Sequence, residues 1–364
     1  MRPERLVAAL ACLLAVAAGC GSTSGPSTAT ATSTDGSPSS TRSTTTAPGP
    51  ASAPTSGPVS SSRAAVVAGH SAWVTVSVAR LWDSPSAPWA VDAPALRAPV
   101  RFRAWLAHMS LSQRRALDLR SQTEALYGDR VVVLRVRPGW ARVVVPSQPS
   151  EKDPRGYPGW IPTRQLTATT PRRTAQVATV VARTSWLRSD DAAARRATEI
   201  SFGTDLPVVG EVPGYLQVAT PRGAVRRLAV GTAVLHDRGT AALAPSPAGL
   251  VRTAKSFLGL SYLWGGLSGF GLDCSGLTWL DLRVHGTRIP RDALPQSRHG
   301  QRVSALAPGD LLFYAHRGLV HHVSMYLGNG QMIHAPRTGQ PVQVVAFSAP
   351  PLRAEYAGAR RYLP

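Results

Sequence analysis

The sequence predicts an α+β protein in which two small β-barrels precede a domain of mixed helices and strands. Two successive sets of short runs alternate apolar and polar residues, which is the pattern of half-buried strands. After residue 240 the spacing becomes helical, and a glycine-rich loop, a second helix and further strands follow. With 364 residues, 43% of them hydrophobic, the chain can form two or three compact domains. A single small domain is therefore excluded.

The first 20 residues have the layout of a bacterial export signal. Arg2 and Arg5 precede an apolar run that ends in Ala17-Ala18-Gly19-Cys20. That run is shorter than the ~20 apolar residues that span a bilayer. The cysteine after Ala-Gly resembles the lipobox of bacterial lipoproteins, whose cysteine is acylated. We expect residues 1–20 to be a signal peptide and Cys20 to be lipidated on the outer face of the membrane, with plain secretion to the wall as the alternative.

Composition then indicates a tether and a set of partners. Residues 21–64 are mainly Ser, Thr, Pro, Gly and Ala, too poor in large apolar residues to fold, and predict a flexible linker. The net charge is +20, and Lys152 and Lys255 are the only lysines among 40 basic residues. Such a field attracts polyanions. For an exported protein we expect anionic cell-wall polymers or a membrane surface as partners, rather than nucleic acid, and a monomer.

The two barrels are predicted from their strand runs. In residues 65–170 the alternating runs are 73–78, 130–136, 140–145 and 159–161, and Pro138-Gly139 forms a tight turn between the middle two. The spacing between 104 and 126 indicates a helical or irregular insertion. In residues 171–239 the runs are 177–181, 185–188, 205–210, 215–218 and 225–230. Both segments resemble bacterial SH3-like domains.

Residues 240–364 form the predicted mixed domain. Helices are expected at 250–258 and at 274–284, the second ending before Gly286. Strands are expected at 310–314, 323–327, 332–334 and 342–347.

Cys274 is the candidate nucleophile. Of Cys12, Cys20 and Cys274, the first lies inside the predicted signal, so the mature folded part holds one cysteine and can form no internal disulfide. Cys274 begins a predicted helix, where the positive end of the helix dipole lowers a thiol pKa. The glycines upstream would let a substrate backbone approach closely. The alternative is a buried, inert cysteine.

Two histidines can serve such a thiol. His322 and His334 lie on strands joined by a predicted Asn-Gly hairpin turn, so their side chains can be neighbours. One imidazole could accept the thiol proton while the other fixes its tautomer. His299, His316 and His321 are expected to be structural or exposed.

Five short motifs carry a specific resemblance. They are Tyr262-Leu263-Trp264-Gly265-Gly266, Asp273-Cys274-Ser275-Gly276-Leu277, Pro308 to Phe313, His322 to Gly328 and Ile333-His334-Ala335. Their order is similar to that of NlpC-type peptidases. The resemblance covers about residues 250–363 and implies a papain-like fold, a triad of Cys274, His322 and His334, and Tyr262 near the oxyanion site. It implies no metal and no cofactor.

The front of the chain is similar to γ-D-glutamyl-L-diamino acid endopeptidases, in which two SH3-like barrels precede an NlpC-type domain. The resemblance rests on segments 122–128 and 156–161. It implies that the first barrel covers the active site and helps bind a peptidoglycan stem peptide, whose free L-Ala amine is recognised by acidic and tyrosyl groups. The implied substrate-binding residues are Glu124, Tyr157, Trp264, Asp273, Ser275 and Arg291.

Several alternatives stay open. Asp273 is also well placed as a helix N-cap, Tyr262 and Trp264 could be core aromatics, and Arg291 could be an ordinary surface arginine. The expected reaction is hydrolysis of the γ-D-glutamyl–diaminopimelate bond. The alternatives are an NlpC-type amidase or acyltransferase on another wall or lipid substrate, and a wall-binding protein with an inactive peptidase domain.

Overall fold

The computed structural model describes residues 65–363. The predicted signal peptide, Cys20 and the linker lie outside the described residues. Within 65–363, no helix has both the length and the apolar character needed to cross a membrane.

The first barrel is a seven-stranded antiparallel sheet. Its strands are β1 (Ser71–Val74), β2 (Val78–Trp82), β3 (Ser121–Leu126), β4 (Arg130–Arg137), β5 (Trp140–Val145), β6 (Tyr157–Pro162) and β7 (Leu166–Thr167). They follow the order β3-β2-β6-β5-β4-β1-β7. Alternate side chains point inward and form a core that includes Val74, Leu81, Val131, Val143 and Ile161. The apolar residues that alternate along the predicted strands thus fill the interior of the barrel.

The insertion in this barrel was predicted with the wrong ends. It lies between β2 and β3 and holds a 3-10 helix (Ala90–Leu96), α1 (Phe102–His108), α2 (Leu111–Arg115) and a second 3-10 helix (Ala116–Leu119). Strand β2 is buried on both faces, so it does not alternate. Strand β3 has a polar sequence although most of its residues are buried, because its polar side chains have partners inside the protein. Glu124, for example, forms an ion pair with Arg80 at 3.0 Å.

The second barrel repeats the arrangement. Its strands are β8 (Gln176–Val180), β9 (Thr184–Arg188), β10 (Arg196–Ser201), β11 (Asp205–Val212), β12 (Tyr215–Ala219), β13 (Val225–Ala229) and β14 (Ala233–Asp237). The order is β10-β9-β13-β12-β11-β8-β14. Strands β10 and β14 were not predicted, because their residues are mostly half-buried or exposed and their apolar period is weak.

The last domain packs helices against a six-stranded antiparallel sheet. The helices are α3 (Pro247–Ser256), α4 (Cys274–Val284) and α5 (Ala293–Arg298). The strands are β15 (Leu267–Ser268), β16 (Gly271–Leu272), β17 (Gln301–Val303), β18 (Leu311–His316), β19 (Leu319–Gly328), β20 (Gln331–His334), β21 (Gln343–Ala346) and β22 (Tyr356–Arg361). The main sheet has the order β17-β22-β18-β19-β20-β21, and β15 pairs with β16. The predicted α+β class is confirmed.

The barrels and the last domain share a core. Trp82 of the first barrel, Phe202 of the second, and Phe257, Phe270 and Leu280 of the last domain belong to one buried apolar cluster. Close packing of this kind resists relative motion of the parts. The surfaces that meet at the first turn of α4 are therefore held in a fixed arrangement.

Candidate active site

Helix α4 presents Cys274 because Asp273 caps its N-terminus. The Asp273 backbone is extended, and its Oδ1 accepts a hydrogen bond from the Gly276 N–H at 2.6 Å. A carboxylate at this position satisfies an N–H that has no partner within the helix. The capping alternative for Asp273 is therefore correct, and its carboxylate also lines a pocket. Ser275 is buried beside it, with Oγ 3.3 Å from Asp273 Oδ1.

Arg291 is not a surface arginine. Only 1% of it is exposed, and its guanidinium binds Asp273 through two bonds of 2.8 and 3.0 Å. It also donates to Ser275 Oγ at 3.0 Å and, across to the first barrel, to Thr123 Oγ1 at 3.0 Å. A planar guanidinium suits such a bidentate bond. Arg291 lines neither pocket at Cys274, so it holds Asp273 and Ser275 in place.

The glycines on both sides of Cys274 serve backbone packing. A Cβ on Gly276 would collide with the Gly266 carbonyl oxygen, and a Cβ on Gly266 would lie 2.6 Å from the Gly271 oxygen. Gly265 has φ +69° and rests against the Gln122 carbonyl of the first barrel. These glycines let the loop, the barrel and α4 approach each other. At the upstream Gly265 and Gly266, backbone packing replaces the expected role of admitting a substrate backbone.

The Cys274 thiol is buried where two pockets meet. Burial raises the pKa of this thiol to about 12, and the Asp273 carboxylate adds to the shift, while the backbone N–H groups of Val323 and Ser275 act the other way. The expected lowering by the helix N-terminus is outweighed, because desolvation penalises the thiolate. The thiol therefore keeps its proton when no ligand is bound and needs a base when it reacts.

His322 and His334 form the expected pair. His322 lies on β19 and His334 on β20, and the turn between them places Asn329 and Gly330 at positive φ. His322 Nε2 lies 2.9 Å from His334 Nδ1, with the rings edge to face at 77°. Burial lowers the pKa of His322 to about 3 and of His334 to about 4. Both imidazoles are therefore neutral at ordinary pH, the form in which a histidine can accept a proton.

One tautomer suits a base at His322. If His322 Nε2–H donates to His334 Nδ1, then His322 Nδ1 is free to accept a proton, and His334 carries its own proton on Nε2. Gln343 Nε2 lies 3.5 Å from His334 Nε2, so in this tautomer the Gln343 amide must turn its oxygen, its only acceptor, towards that proton. His321 has an exposed side chain beside Glu355, as expected for a surface histidine. Among residues 65–363, no cluster of three or more His, Cys, Asp or Glu could hold a metal ion.

The barrel-side pocket lies between the first barrel and the last domain. It has a volume of about 520 Å³, and Asp118, Gln122, Lys152, Tyr157, Tyr262, Trp264, Asp273, Cys274, Ser275 and Asp292 line it. Of the expected substrate-binding residues, it brings together Tyr157, Trp264, Asp273 and Ser275. Trp264 is 40% exposed, which removes the core-aromatic alternative for this residue.

The sheet-side pocket opens on the other side of Cys274. Its volume is about 460 Å³, and its lining includes Tyr262, His321, His322, His334, Arg337, Gln340, Gln343, Pro350, Pro351 and Glu355. Tyr262 is only 6% exposed and lines both pockets. Burial raises the pKa of its phenol well above the usual value, so it stays a neutral hydrogen-bond donor beside the thiol.

Glu124 lies outside both pockets, so the structure contradicts its expected role in binding substrate. It is fully buried, bonded to Arg80 Nη1 at 3.0 Å, and accepts the Leu267 N–H at 3.1 Å. It therefore ties the first barrel to the last domain. The sequence could not reveal this, because its partners lie 44 and 143 positions away.

Sequence reasoning missed Asp118, Gln122, Lys152 and Asp292. Tyr157 Oη lies 3.0 Å from Asp292 Oδ2 and 2.5 Å from Lys152 Nζ. Asp292 stands at the N-terminus of α5, next to Arg291. The one available signal was composition, since a lysine is rare in this arginine-rich chain.

Comparisons with known proteins follow the same division of the chain. A family model described as the NlpC/P60 family matches residues 259–361, and one described as the YKFC SH3b2 domain matches residues 180–232. A Bacillus cereus protein named gamma-D-glutamyl-L-lysine dipeptidyl-peptidase is 36% identical over 315 residues, which is 84% of this chain and 95% of the relative. The chain belongs to the NlpC/P60 family.

Other members of the NlpC/P60 family are similarly close. The Bacillus subtilis protein of the same name is 37% identical over 296 residues, 79% of this chain and 97% of the relative. A crystal structure of an NlpC/P60 family protein from Bacillus cereus has a TM-score of 0.76 at 37% identity, covering 81% of this chain and all of that one. The protein is accordingly a cysteine peptidase of a peptidoglycan-degrading family. The NlpC/P60 match includes Cys274, His322 and His334.

Proposed function

We propose that this protein is a cysteine endopeptidase that hydrolyses the amide bond between γ-D-glutamate and the diamino acid of peptidoglycan stem peptides. The Bacillus cereus and Bacillus subtilis relatives, which match most of this chain, are both named gamma-D-glutamyl-L-lysine dipeptidyl-peptidase. The observation that carries the proposal is the acidic barrel-side pocket beside Cys274. It fits a short peptide that ends in an ammonium group.

The charges of the barrel-side pocket support this substrate. Asp118, Asp273 and Asp292 line it, and Tyr157 Oη lies 3.0 Å from Asp292 Oδ2. Arg291 neutralises Asp273 and Lys152 lies 3.8 Å from Asp292, so three carboxylates face two cations and one net negative charge remains to attract a substrate cation. An N-terminal L-Ala ammonium would bind there, and the γ-carboxamide of the next residue, D-Glu, would reach the thiol.

The reaction begins with proton transfer from Cys274 to neutral His322. The thiolate sulfur attacks the γ-carbonyl carbon, and the oxyanion accepts hydrogen bonds from the backbone N–H at the start of α4 and from Tyr262. Burial of Tyr262 keeps its proton available for this bond. The C–N bond then breaks, and imidazolium His322 returns the proton to the leaving amine.

Water completes the cycle. His322, neutral again, takes a proton from water, whose oxygen attacks the thioester carbonyl. The C–S bond breaks, and the Cys274 sulfur takes back the proton. His334 holds the His322 ring through the 2.9 Å bond during both steps. His334 is thus proposed as the third member of the triad.

The test uses L-Ala-γ-D-Glu-diaminopimelate and its N-acetylated copy as substrates. The protein is residues 21–364. We expect the wild type, but not Cys274→Ala, to release diaminopimelate from the free-amine peptide, and the acetylated peptide to be cleaved much more slowly. Mass spectrometry identifies the products. Equal cleavage of both peptides would contradict ammonium recognition, and no cleavage by folded protein would reject the γ-glutamyl assignment.

We also propose that the protein is exported, that Cys20 anchors it to the outer face of the membrane, and that residues 21–64 let it reach the wall. The layout of residues 1–20 and the charge of +20, which suits anionic wall polymers, support this. Radiolabelled palmitate should enter the wild type in a bacterial host and not Cys20→Ala. Label in both proteins, or in neither, would reject lipidation at Cys20.

A further inference from the structure

The sheet-side pocket has a charge pattern of its own. Of the described residues that line it, Arg337 and Glu355 are the only permanently charged ones. In the described part of the chain, Glu355 lies within 4 Å of His316 and His321 but of no lysine or arginine, and Arg337 takes part in no ion pair. Both charges thus remain available to a ligand.

The sheet register places the two charges on opposite sides of His322. Glu355 directly precedes Tyr356, which pairs with Tyr314 of β18, and Tyr314 pairs with His322. Arg337 follows His334 by three residues, beyond the other neighbour of β19. Neighbouring strands lie about 4.8 Å apart, so the backbone of Glu355, which is two strands away, lies about 10 Å from the backbone of His322. An extended amino-acid side chain covers most of that span.

We infer that the sheet-side pocket binds the diamino acid leaving group, with Glu355 contacting its side-chain ammonium and Arg337 its carboxylate. This rests on the proposed function, in which the acyl half lies in the barrel-side pocket. Because the two pockets meet at Cys274, the other half of the substrate must extend past His322 into the sheet-side pocket. L-Lysine carries one charge of each sign beyond its reacting nitrogen, which matches the two residues, and diaminopimelate adds a second carboxylate.

The rest of the lining suits the methylene groups of such a side chain. Pro350 and Pro351 line the pocket and, having no N–H, offer no competing donor. The pocket therefore combines an apolar wall with a charge at each end. A stem peptide whose side-chain amine is cross-linked would lose the ammonium that Glu355 contacts, so the free diamino acid is the preferred leaving group.

The test compares three peptides, L-Ala-γ-D-Glu linked to L-lysine, to L-norleucine or to L-lysinamide. Norleucine lacks the ammonium and lysinamide lacks the carboxylate. We expect the wild type to cleave each analogue about tenfold less efficiently in kcat/KM than the lysine peptide, as a lost hydrogen bond between charged groups predicts. If all three are cleaved equally, this inference is overturned and the proposed function stands. If none is cleaved, both fail.

Two variants assign the contacts. Glu355→Gln should lower kcat/KM about tenfold for the lysine peptide and leave kcat/KM for the norleucine peptide unchanged. Arg337→Gln should lower kcat/KM about tenfold for the lysine peptide and leave kcat/KM for the lysinamide peptide unchanged. Glu211→Gln and Arg135→Gln, on exposed positions of the barrels, are the matched controls. An equal loss on all peptides would indicate a structural effect and contradict the assignment.

Discussion

The Lys152 ammonium lies 2.5 Å from the Tyr157 hydroxyl and 4.5 Å from the centre of the Tyr157 ring. It also reaches Asp292 at 3.8 Å. Burial lowers the pKa of Lys152, although Asp292 opposes the shift. An internal cation thus occupies the part of the barrel-side pocket that we propose for the substrate ammonium. Substrate and Lys152 should compete for the same oxygen atoms.

The first prediction follows from that competition. Lys152→Met should lower KM for the free-amine tripeptide several-fold and change kcat little, because the substrate ammonium no longer displaces a lysine. Steady-state kinetics with free-amine and N-acetylated peptides measure the effect. The control is Lys255→Met, the other lysine, which is exposed on α3. A higher KM in Lys152→Met would mean that the lysine itself binds the substrate.

The second prediction concerns the buried pair of Arg291 and Asp273. Arg291→Met leaves the Asp273 carboxylate buried without its cation, so we expect the free energy of unfolding to fall by about 3–5 kcal/mol. Urea denaturation measures it. Arg298→Met is the control, since Arg298 and Glu151 are each more than half exposed, and such pairs contribute less than ~1 kcal/mol. Equal losses in both variants would contradict the buried pair as the cause.

The third prediction is a loss of stability in mild acid. The pKa of His322 is about 3 and that of His334 about 4 in the fold, against 6.5 in the unfolded chain. Between pH 6.5 and 3 the unfolded chain therefore binds more protons, and the free energy of unfolding falls as the pH falls. Replacing both residues by glutamine should flatten this dependence in urea denaturation at pH 7.5 and 5, whereas exposed His108→Gln should not. An unchanged slope in the double variant would refute it.

The fourth prediction concerns a buried carboxyl on the catalytic helix. Asp281 is fully buried, neither of its oxygens has a hydrogen-bond partner among residues 65–363, and His285 Nε2 is 3.6 Å away. Burial raises its pKa well above 3.8, so above pH 3.8 the unfolded chain loses a proton that the fold retains. Stability from this group therefore falls as the pH rises.

Asp281→Asn removes the carboxyl group and with it the loss of stability at higher pH. The variant should be more stable than the wild type at pH 7, and the gain should shrink towards pH 4. Denaturation at both pH values tests it, with exposed Asp237→Asn as the control. A variant less stable than the wild type at pH 7 would show that the carboxylate has a stabilising partner.

The catalytic helix could be predicted from sequence because its signals are local. Asp273 is the cap, Cys274 begins the first turn, and Gly286, at φ +78°, follows the end. The hairpin that joins His322 to His334 was equally predictable, since its Asn-Gly turn lies within the segment. In both cases the decisive residues stand within a few positions of one another.

The rest of the site depends on contacts that no local pattern encodes. Arg291 reads as one arginine among many until folding brings Thr123 of the first barrel to its Nε. Lys152 lies in the pocket because the loop between β5 and β6 contacts α5, where Arg298 binds Glu151 at 2.7 Å. Strand β22 was missed because it alternates weakly, and its position is set by pairing with β17 and β18.

The close contact between Gly266 and Gly276 also limits which amino-acid substitutions the gene can accept at these two positions. Neither position can gain a single methyl group without a collision, since a Cβ on Gly276 would meet the Gly266 oxygen and a Cβ on Gly266 would meet the Gly271 and Leu263 oxygens within the loop. Either collision would shift the first turn of α4, where Cys274 lies two residues from Gly276. In a saturation library selected for cleavage, both codons should return glycine alone. Every single-nucleotide replacement that changes either amino acid is then a loss-of-function allele, although neither residue carries a reactive group.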